Sequence, residues 1–249
     1  MFSLATIFEN IKTLLENYWQ VFVFEGVKYT LILSAIAVFF GSIFGVIIAI
    51  GRMSNWKPFR FLNKKKAKKG IVHAISEFNP ISFLCSAYTE ILRDTPLLLQ
   101  LYLFVIILPT IIKIADFSMF TWTSIALALN SAAYVSELVR SGIQAVDKGQ
   151  TEAARSLGMN KTQTMIKVVL PQAVKNILPA IGSEFVSIIK ETSMASTFFI
   201  GDLMTSYLKV KGATYLALEA LIIVAVIYFI LTFVLSKIII AYERRLNSK

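Results

Sequence analysis

The sequence predicts an all-α protein that crosses a membrane about five times, with an amphipathic helix in front of the first span. Three observations predict it. Of 249 residues, 56% are hydrophobic and only 16% charged, and the mean hydropathy is +0.69; a soluble domain carries about 45–50% apolar and about 25% charged residues. Several apolar stretches reach the roughly 20 residues that a helix needs to cross a hydrocarbon core. The cations, which leave a net charge of +10, gather in blocks between those stretches. A pI of about 9.6 would by itself suit nucleic acid, but no RNA-binding aromatic motif or zinc-ligand spacing accompanies the basic residues, so nucleic acid is not an expected partner. With one cysteine and one histidine, Cys85 and His73, neither an internal disulfide nor a Cys/His metal cluster is expected.

Residues 1–26 carry Leu4, Ile7, Phe8, Ile11, Leu14, Leu15, Tyr18, Trp19 and Phe22. This is an i, i+3, i+4, i+7 stripe, so the segment reads as an amphipathic helix. It is expected to lie in the water–lipid interface, anchored by Tyr18 and Trp19, or to pack on neighbouring helices. It has no basic start and no small-residue cleavage pattern, so it is not read as a signal peptide. Residues 27–249 are expected to form the membrane domain.

The first span covers 27–50 and holds Gly41 and Gly45, a spacing that lets a second helix approach closely. Arg52, Lys57, Arg60, Lys64, Lys65, Lys66, Lys68 and Lys69 follow with no acidic residue between them. Such a block stays in the cytoplasm, which puts the amino terminus outside, and it suits anionic lipid head groups. Residues 71–95 read as an in-plane or packed helix. Pro96 then opens an apolar run to residue 112, in the first turn where its missing N–H costs nothing. A short external loop, 113–118, leads to a third span over 119–139. A fourth span covers 176–200 and is the most polar, with Glu184, Lys190 and Glu191. An external segment at 201–214 precedes a fifth span at 215–240, and the tail is cytoplasmic. Of the 25 lysines and arginines, eight, six and four fall in the three inner segments, which fixes the orientation.

The longest polar stretch, about 141–175, contains the most informative pattern. Thr151 is positioned to cap a helix and Glu152 to meet the positive end of its dipole. Ala153 and Ala154 let another surface come close. Gly158 suits the left-handed conformation that stops a helix. The result is a short, stiff cytoplasmic helix, fit to push or be pushed by a soluble partner, and Pro171 and Pro179 punctuate the return to the membrane.

These residues resemble the EAA loop of ATP-binding-cassette (ABC) importer permeases, written EAA, three residues, Gly, nine residues, Ile, one residue, Leu-Pro. The chain has Glu152, Ala153, Ala154, then Gly158, then Val168, Val169, Leu170 and Pro171, with valine for isoleucine as the one departure. Residues 88–100 (YTEILRDTPLLLQ), 132–140 (AAYVSELVR), 171–173 (PQA) and 190–193 (KETS) are similar to the histidine, glutamine and arginine type of polar amino-acid permease. The likeness spans about 30–196. The lysine-rich run and Asp94, where a glycine is usual, depart from the pattern, so the exact amino acid is not implied.

The resemblance implies the transmembrane domain of a type I ABC importer. Two permease subunits, the same or homologous chains, would work with an ABC ATPase dimer and an extracytoplasmic substrate-binding protein in a prokaryotic cell membrane, with membrane lipids around them. The chain has no G-x-x-x-x-G-K-[ST] loop, so ATP and Mg belong on the ATPase, and this chain would bind no cofactor. Glu152, Ala153, Ala154, Leu157 and Gly158 would couple to the ATPase. No catalytic residue and no metal ligand is assigned.

An amino-acid substrate needs a few convergent polar groups in an otherwise apolar site. From polar positions near mid-span the candidates are Thr95, Asn130, Tyr134, Glu184, Ser193 and Thr197, though a membrane hydroxyl often bonds its own backbone instead. Glu137 and Arg140, near the inner end of the third span, are read as fixing the coupling loop. Two other classes stand beside the importer. An intramembrane enzyme would need a nucleophile with a base, or a metal cluster. A channel or lipid-binding scaffold would need no EAA loop.

Overall fold

The amphipathic stripe forms α1, Leu4–Gln20, which runs through a π-helical segment, Val21–Val27, into α2, Lys28–Arg52. Together they make one helix of 49 residues with no sharp turn at residue 26. The computed structural model describes residues 4–62, 70–112 and 117–247. The lysine-rich residues 63–69 and residues 113–116 of the external loop therefore lie outside the described residues.

Among the described residues, two helices are long and apolar enough to cross a membrane: the α1–α2 helix and α12, Ala217–Asn247. A third crossing is bent. α4, Pro80–Asp94, meets the run Leu97–Ile112 at 109°; that run comprises α5, Leu97–Tyr102, a π-helical segment, and α6, Leu108–Ile112. Thr95 and Pro96 make the bend, both extended, because a residue before proline is pushed out of the helical region.

Two more helices complete the about five crossings of this all-α fold: α7, Met119–Gln144, and α10, Leu170–Glu191. Both are more polar than α2 or α12, for a positional reason. α7 runs through the middle and buries Ser124, Asn130, Ser131 and Ser136, so its polar groups face protein rather than lipid. α2 lies tightly against it. A Cβ added at Gly41 would meet Ser131 at 2.7 Å, and one at Gly45 would meet Val135 at 2.7 Å. The close approach read from Gly41 and Gly45 is therefore present. Packing of this kind holds membrane helices together where lipid removes the hydrophobic drive. Leu33, Ala37, Leu101, Leu127 and Ile188 fill the main core between α2, α5, α7 and α10, while Ala49, Val135, Ala173 and Ile177 fill a second one toward the basic end. A third core joins Leu14 and Phe22 to α11, Leu203–Thr214, and α12.

Several boundaries differ from expectation. The helix expected over 71–95 is two, α3, Ile71–Glu77, and α4, because Asn79 caps a new start: its Oδ1 accepts the Ser82 N–H at 3.1 Å and Pro80 sits in the first turn. α7 continues past residue 139 to Gln144. α10 starts at Leu170, with Pro171 in its first turn, and carries Pro179 within it without ending there. It stops at Glu191, and a 3-10 helix, Thr192–Phe198, replaces the rest of the expected span. Most of the 201–214 segment, expected to be external, is helical: it forms α11, capped by Asp202, which accepts the Met204 N–H at 3.0 Å.

Candidate coupling element and substrate path

Between α7 and α10 the chain folds into α8, Lys148–Ser156, and α9, Lys161–Thr164. Asp147, not Thr151, caps α8: its Oδ1 accepts the Gly149 N–H at 2.6 Å. Glu152 thus lies beyond the first turn, where the helix dipole has largely faded. The far end is as the glycine suggests. Gly158 has φ +85°, and its N–H donates to the Arg155 carbonyl at 3.0 Å while the Met159 N–H reaches the Ala154 carbonyl at 3.1 Å. This pair of bonds is a Schellman stop. A capping box then starts α9: Asn160 Oδ1 accepts from Gln163 N, and Gln163 Oε1 accepts from Asn160 N, both at 2.9 Å. The tip is therefore stiff because nearly every end group has a local partner.

The expected coupling residues divide between two faces. Glu152, Ala153, Leu157 and Gly158 are exposed, and Leu157 is 85% exposed. Ala154 is 5% exposed and faces inward, so it seats the helix rather than offering a surface to a partner. Leu157 and the small Ala153 are thus the apolar part that this otherwise polar tip presents to its surroundings.

Just above this loop, Glu137 gathers three guanidinium groups. Arg52 from the end of α2 donates Nη1 to its Oε2 at 2.8 Å, Arg93 from the end of α4 approaches the same oxygen at 3.7 Å, and Arg140 of α7 donates Nε at 3.1 Å and also pairs through Nη2. The expectation that Glu137 and Arg140 act together holds, and Arg52 and Arg93 extend the cluster to three helices. A charged group in this setting is stable only when paired.

The substrate-path candidates do not form one constellation. Thr95 and Asn130 belong to a joint at the bend. Gln100 donates Nε2 to Thr95 Oγ1 at 2.8 Å and to the Leu92 carbonyl at 2.8 Å, and Asn130 donates Nδ2 to Gln100 Oε1 at 2.9 Å. These bonds satisfy backbone groups that the bend takes out of the helix, as non-helical backbone at membrane depth requires. Tyr134 and Glu184 are both half-buried, and Arg93 stands 5.7 Å from the centre of the Tyr134 ring. Ser193 donates to the Lys190 carbonyl at 2.6 Å. With Lys190 and Tyr228 it lines a separate cavity of about 310 Å³ toward α12. Thr197 is exposed on the 3-10 helix.

Sequence reasoning missed Gln100 and Arg93 as participants. A signal for Gln100 exists: it is a buried amide directly after three leucines in a crossing segment, and a polar group there needs a protein partner. Arg93 carries no comparable local signal, since its partners come from α7.

The family described as binding-protein-dependent transport system inner membrane component matches residues 70–248. The arginine transport system permease protein ArtQ of Bacillus subtilis is 37% identical over 227 residues, covering 91% of this chain and 93% of that one. A putative glutamine transport system permease protein GlnP of Rickettsia bellii is 38% identical over 225 residues, covering 90% and 93%. The L-cystine transport system permease protein TcyB of Bacillus subtilis is 33% identical over 234 residues, covering 93% and 89%. The crystal structure of an amino acid ABC transporter with histidines superposes with a TM-score of 0.79 at 37% identity, over 98% of this chain and 99% of that chain. The methionine ABC transporter MetNI, inward facing, shares the fold at 17% identity with a TM-score of 0.66, over 90% and 96%. With a matching family model over most of its length, near full-length relatives and the stiff α8–α9 tip in the expected place, the chain belongs to the inner membrane components of binding-protein-dependent transport systems.

Proposed function

We propose that this chain is the membrane-spanning subunit of an ABC importer that carries polar amino acids across a prokaryotic cell membrane, and that it is not itself an enzyme. It pairs with a second permease, the same chain or a homologue. An ABC ATPase dimer holds ATP and Mg on the inner side, and an extracytoplasmic binding protein delivers substrate outside. The amino terminus is outside and the carboxyl terminus inside, as the cation blocks require. Residues 1–26 stand at the outer boundary, and 27–249 form the permease domain. The observation that carries the reading is the rigid tip of α8 with Leu157 free in solvent.

Glu152, Ala153 and Leu157 present the contact face, Ala154 seats α8 against the domain, and Gly158 ends it. When the ATPases close, a displacement of α8 passes to the end of α7 and the start of α10, which flank it in the chain. Glu137 ties α7 to α2 and α4 through Arg52 and Arg93, so the crossing helices move as a body around the path. Rigid-body rocking of this kind alternates access. Tyr134 and Glu184 contact the substrate, while Thr95 and Asn130 shape the path through the bend; Ser193 and Thr197 serve it from the far end of α10.

The test is uptake of a radiolabelled amino-acid panel into proteoliposomes holding this chain with its ATPase. Uptake of a polar amino acid that requires ATP is expected. Leu157→Asp should lower it roughly thirtyfold or more, while the purified chain keeps its helicity and thermal midpoint, since losing an interface anchor costs about 2 kcal/mol or more in binding. Uptake that ignores ATP, or that survives Leu157→Asp, would sink the importer reading.

A further inference from the structure

Between α8, α9 and the end of α7 lies a cavity of about 520 Å³ lined by Lys148, Arg155 and Lys161 and by the apolar Val146, Met165 and Val169, with threonines between them. No aspartate or glutamate lines it. Among the described residues none of the three cations has a carboxylate within ion-pair distance. Asp147, the neighbour in sequence, is bonded to the Gly149 N–H. Three unpaired cations beside apolar side chains suit a ligand with an anionic head and an apolar body.

The surroundings decide what kind of ligand. Ile166, in the π-helical segment Met165–Val169 that leads into α10, and Leu170, Val174 and Leu178 of α10 follow one another at four-residue spacing, and all four are exposed. They share one face of the helix and begin one residue beyond Met165 of the cavity lining. An acidic side chain of a soluble partner would use the cations but not this stripe. A phospholipid uses both: its phosphate meets the cations and an acyl chain follows the stripe into the membrane. Basic pockets between crossing helices on the inner side take anionic head groups in this way.

We infer that the cavity beside α8 binds the head group of an anionic phospholipid and so sets the position of α8 against α7 and α10. This rests on the inner placement of α8 proposed above. Lipid held there would brace the tip while the ATPase engages it at Leu157.

The experiment uses this chain in complex with its ATPase, in nanodiscs of phosphatidylcholine with or without phosphatidylglycerol, without nucleotide. Native mass spectrometry then reads the lipid that stays bound. The complex should retain phosphatidylglycerol over phosphatidylcholine. Replacing the three cations together, Lys148→Gln, Arg155→Gln and Lys161→Gln, should weaken that retention roughly tenfold or more. Lys148→Arg with Lys161→Arg, which keeps the charge, should preserve it. If the triple variant does not fold, Lys161→Gln alone should still lower retention measurably. Equal retention by wild type and the cation-free variants overturns the inference. Displacement of the lipid by millimolar inorganic phosphate would make this a free-anion site and also overturns it. Loss of the ATPase with lipid retention unchanged would assign the cavity to an acidic protein surface instead. Leu157→Asp, read on the full chain without the ATPase it no longer holds, should leave retention intact, so a failure here is separable from a failure of the importer reading.

Discussion

Glu137 is the residue on which three helix ends converge. One carboxylate receives Arg52, Arg93 and Arg140, and its side chain is 21% exposed. Glu137→Gln keeps the shape and removes the charge, leaving three guanidinium groups close together with no anion. Hydrogen bonds to charged groups contribute about 1.5–3 kcal/mol, so a fall of that order in stability is expected. The measurement is thermal unfolding of the purified chain in detergent. An unchanged midpoint would mean that water, not Glu137, solvates the arginines. The sequence made half of this cluster visible. Glu137 and Arg140 lie three apart on one helix, a spacing that pairs side chains locally. Arg52 is 85 residues away from Glu137, and no periodicity encodes such a pairing.

At the scale of elements, the small-residue spacing on α2 translated directly into packing, because GxxxG has a geometric meaning that needs only one helix to state. Gly45 tests it. A leucine there must displace Val135 and the Ala132 carbonyl, which lie 2.7 and 2.9 Å from the position of its Cβ. Overpacking of this kind costs about 1–3 kcal/mol or more. Gly45→Leu should therefore lower the yield of folded protein and its thermal midpoint. Gly212→Ala in α11, where a Cβ meets nothing within 4 Å, should be neutral or gain about 0.5–1 kcal/mol. Equal effects of the two would refute close α2–α7 packing. The bend at Thr95 and Pro96 was less legible. Proline was read as a helix opener, which it is, but the 109° angle depends on Gln100 and Asn130 bridging the opened backbone. That bridge joins segments 30 residues apart. The candidate site is hard to read for the same reason: Thr95 and Asn130 stand out for polarity at mid-span, but their bonds go into the joint. Tyr134 and Glu184 share that polarity but are half-buried outside the joint, with Arg93 over the Tyr134 ring.

For the whole molecule, an odd number of crossings would put the ends of the chain on opposite sides, and the cation blocks predict which side is which. Hydropathy alone was a weaker guide. α7 is enclosed by other helices and carries serines and an asparagine, while α10, buried on one side only, carries carboxylates, so neither stands out by apolarity. Orientation is open to a direct test, since Cys85 is the only cysteine. In a Cys85→Ala background, one cysteine replaces Lys161 in α9 and another, in a separate variant, replaces Lys211 in α11. Both positions are exposed. In right-side-out vesicles a membrane-impermeant maleimide should label the variant at 211 and spare the one at 161. In inside-out vesicles the pattern should invert. Labelling at 161 from outside would place the α8 tip on the wrong side for an ATP-driven partner, and the inner placement of the cation-lined cavity would fall with it. Labelling of both from one side would mean an even number of crossings between α9 and α11, which would remove α10 as a span.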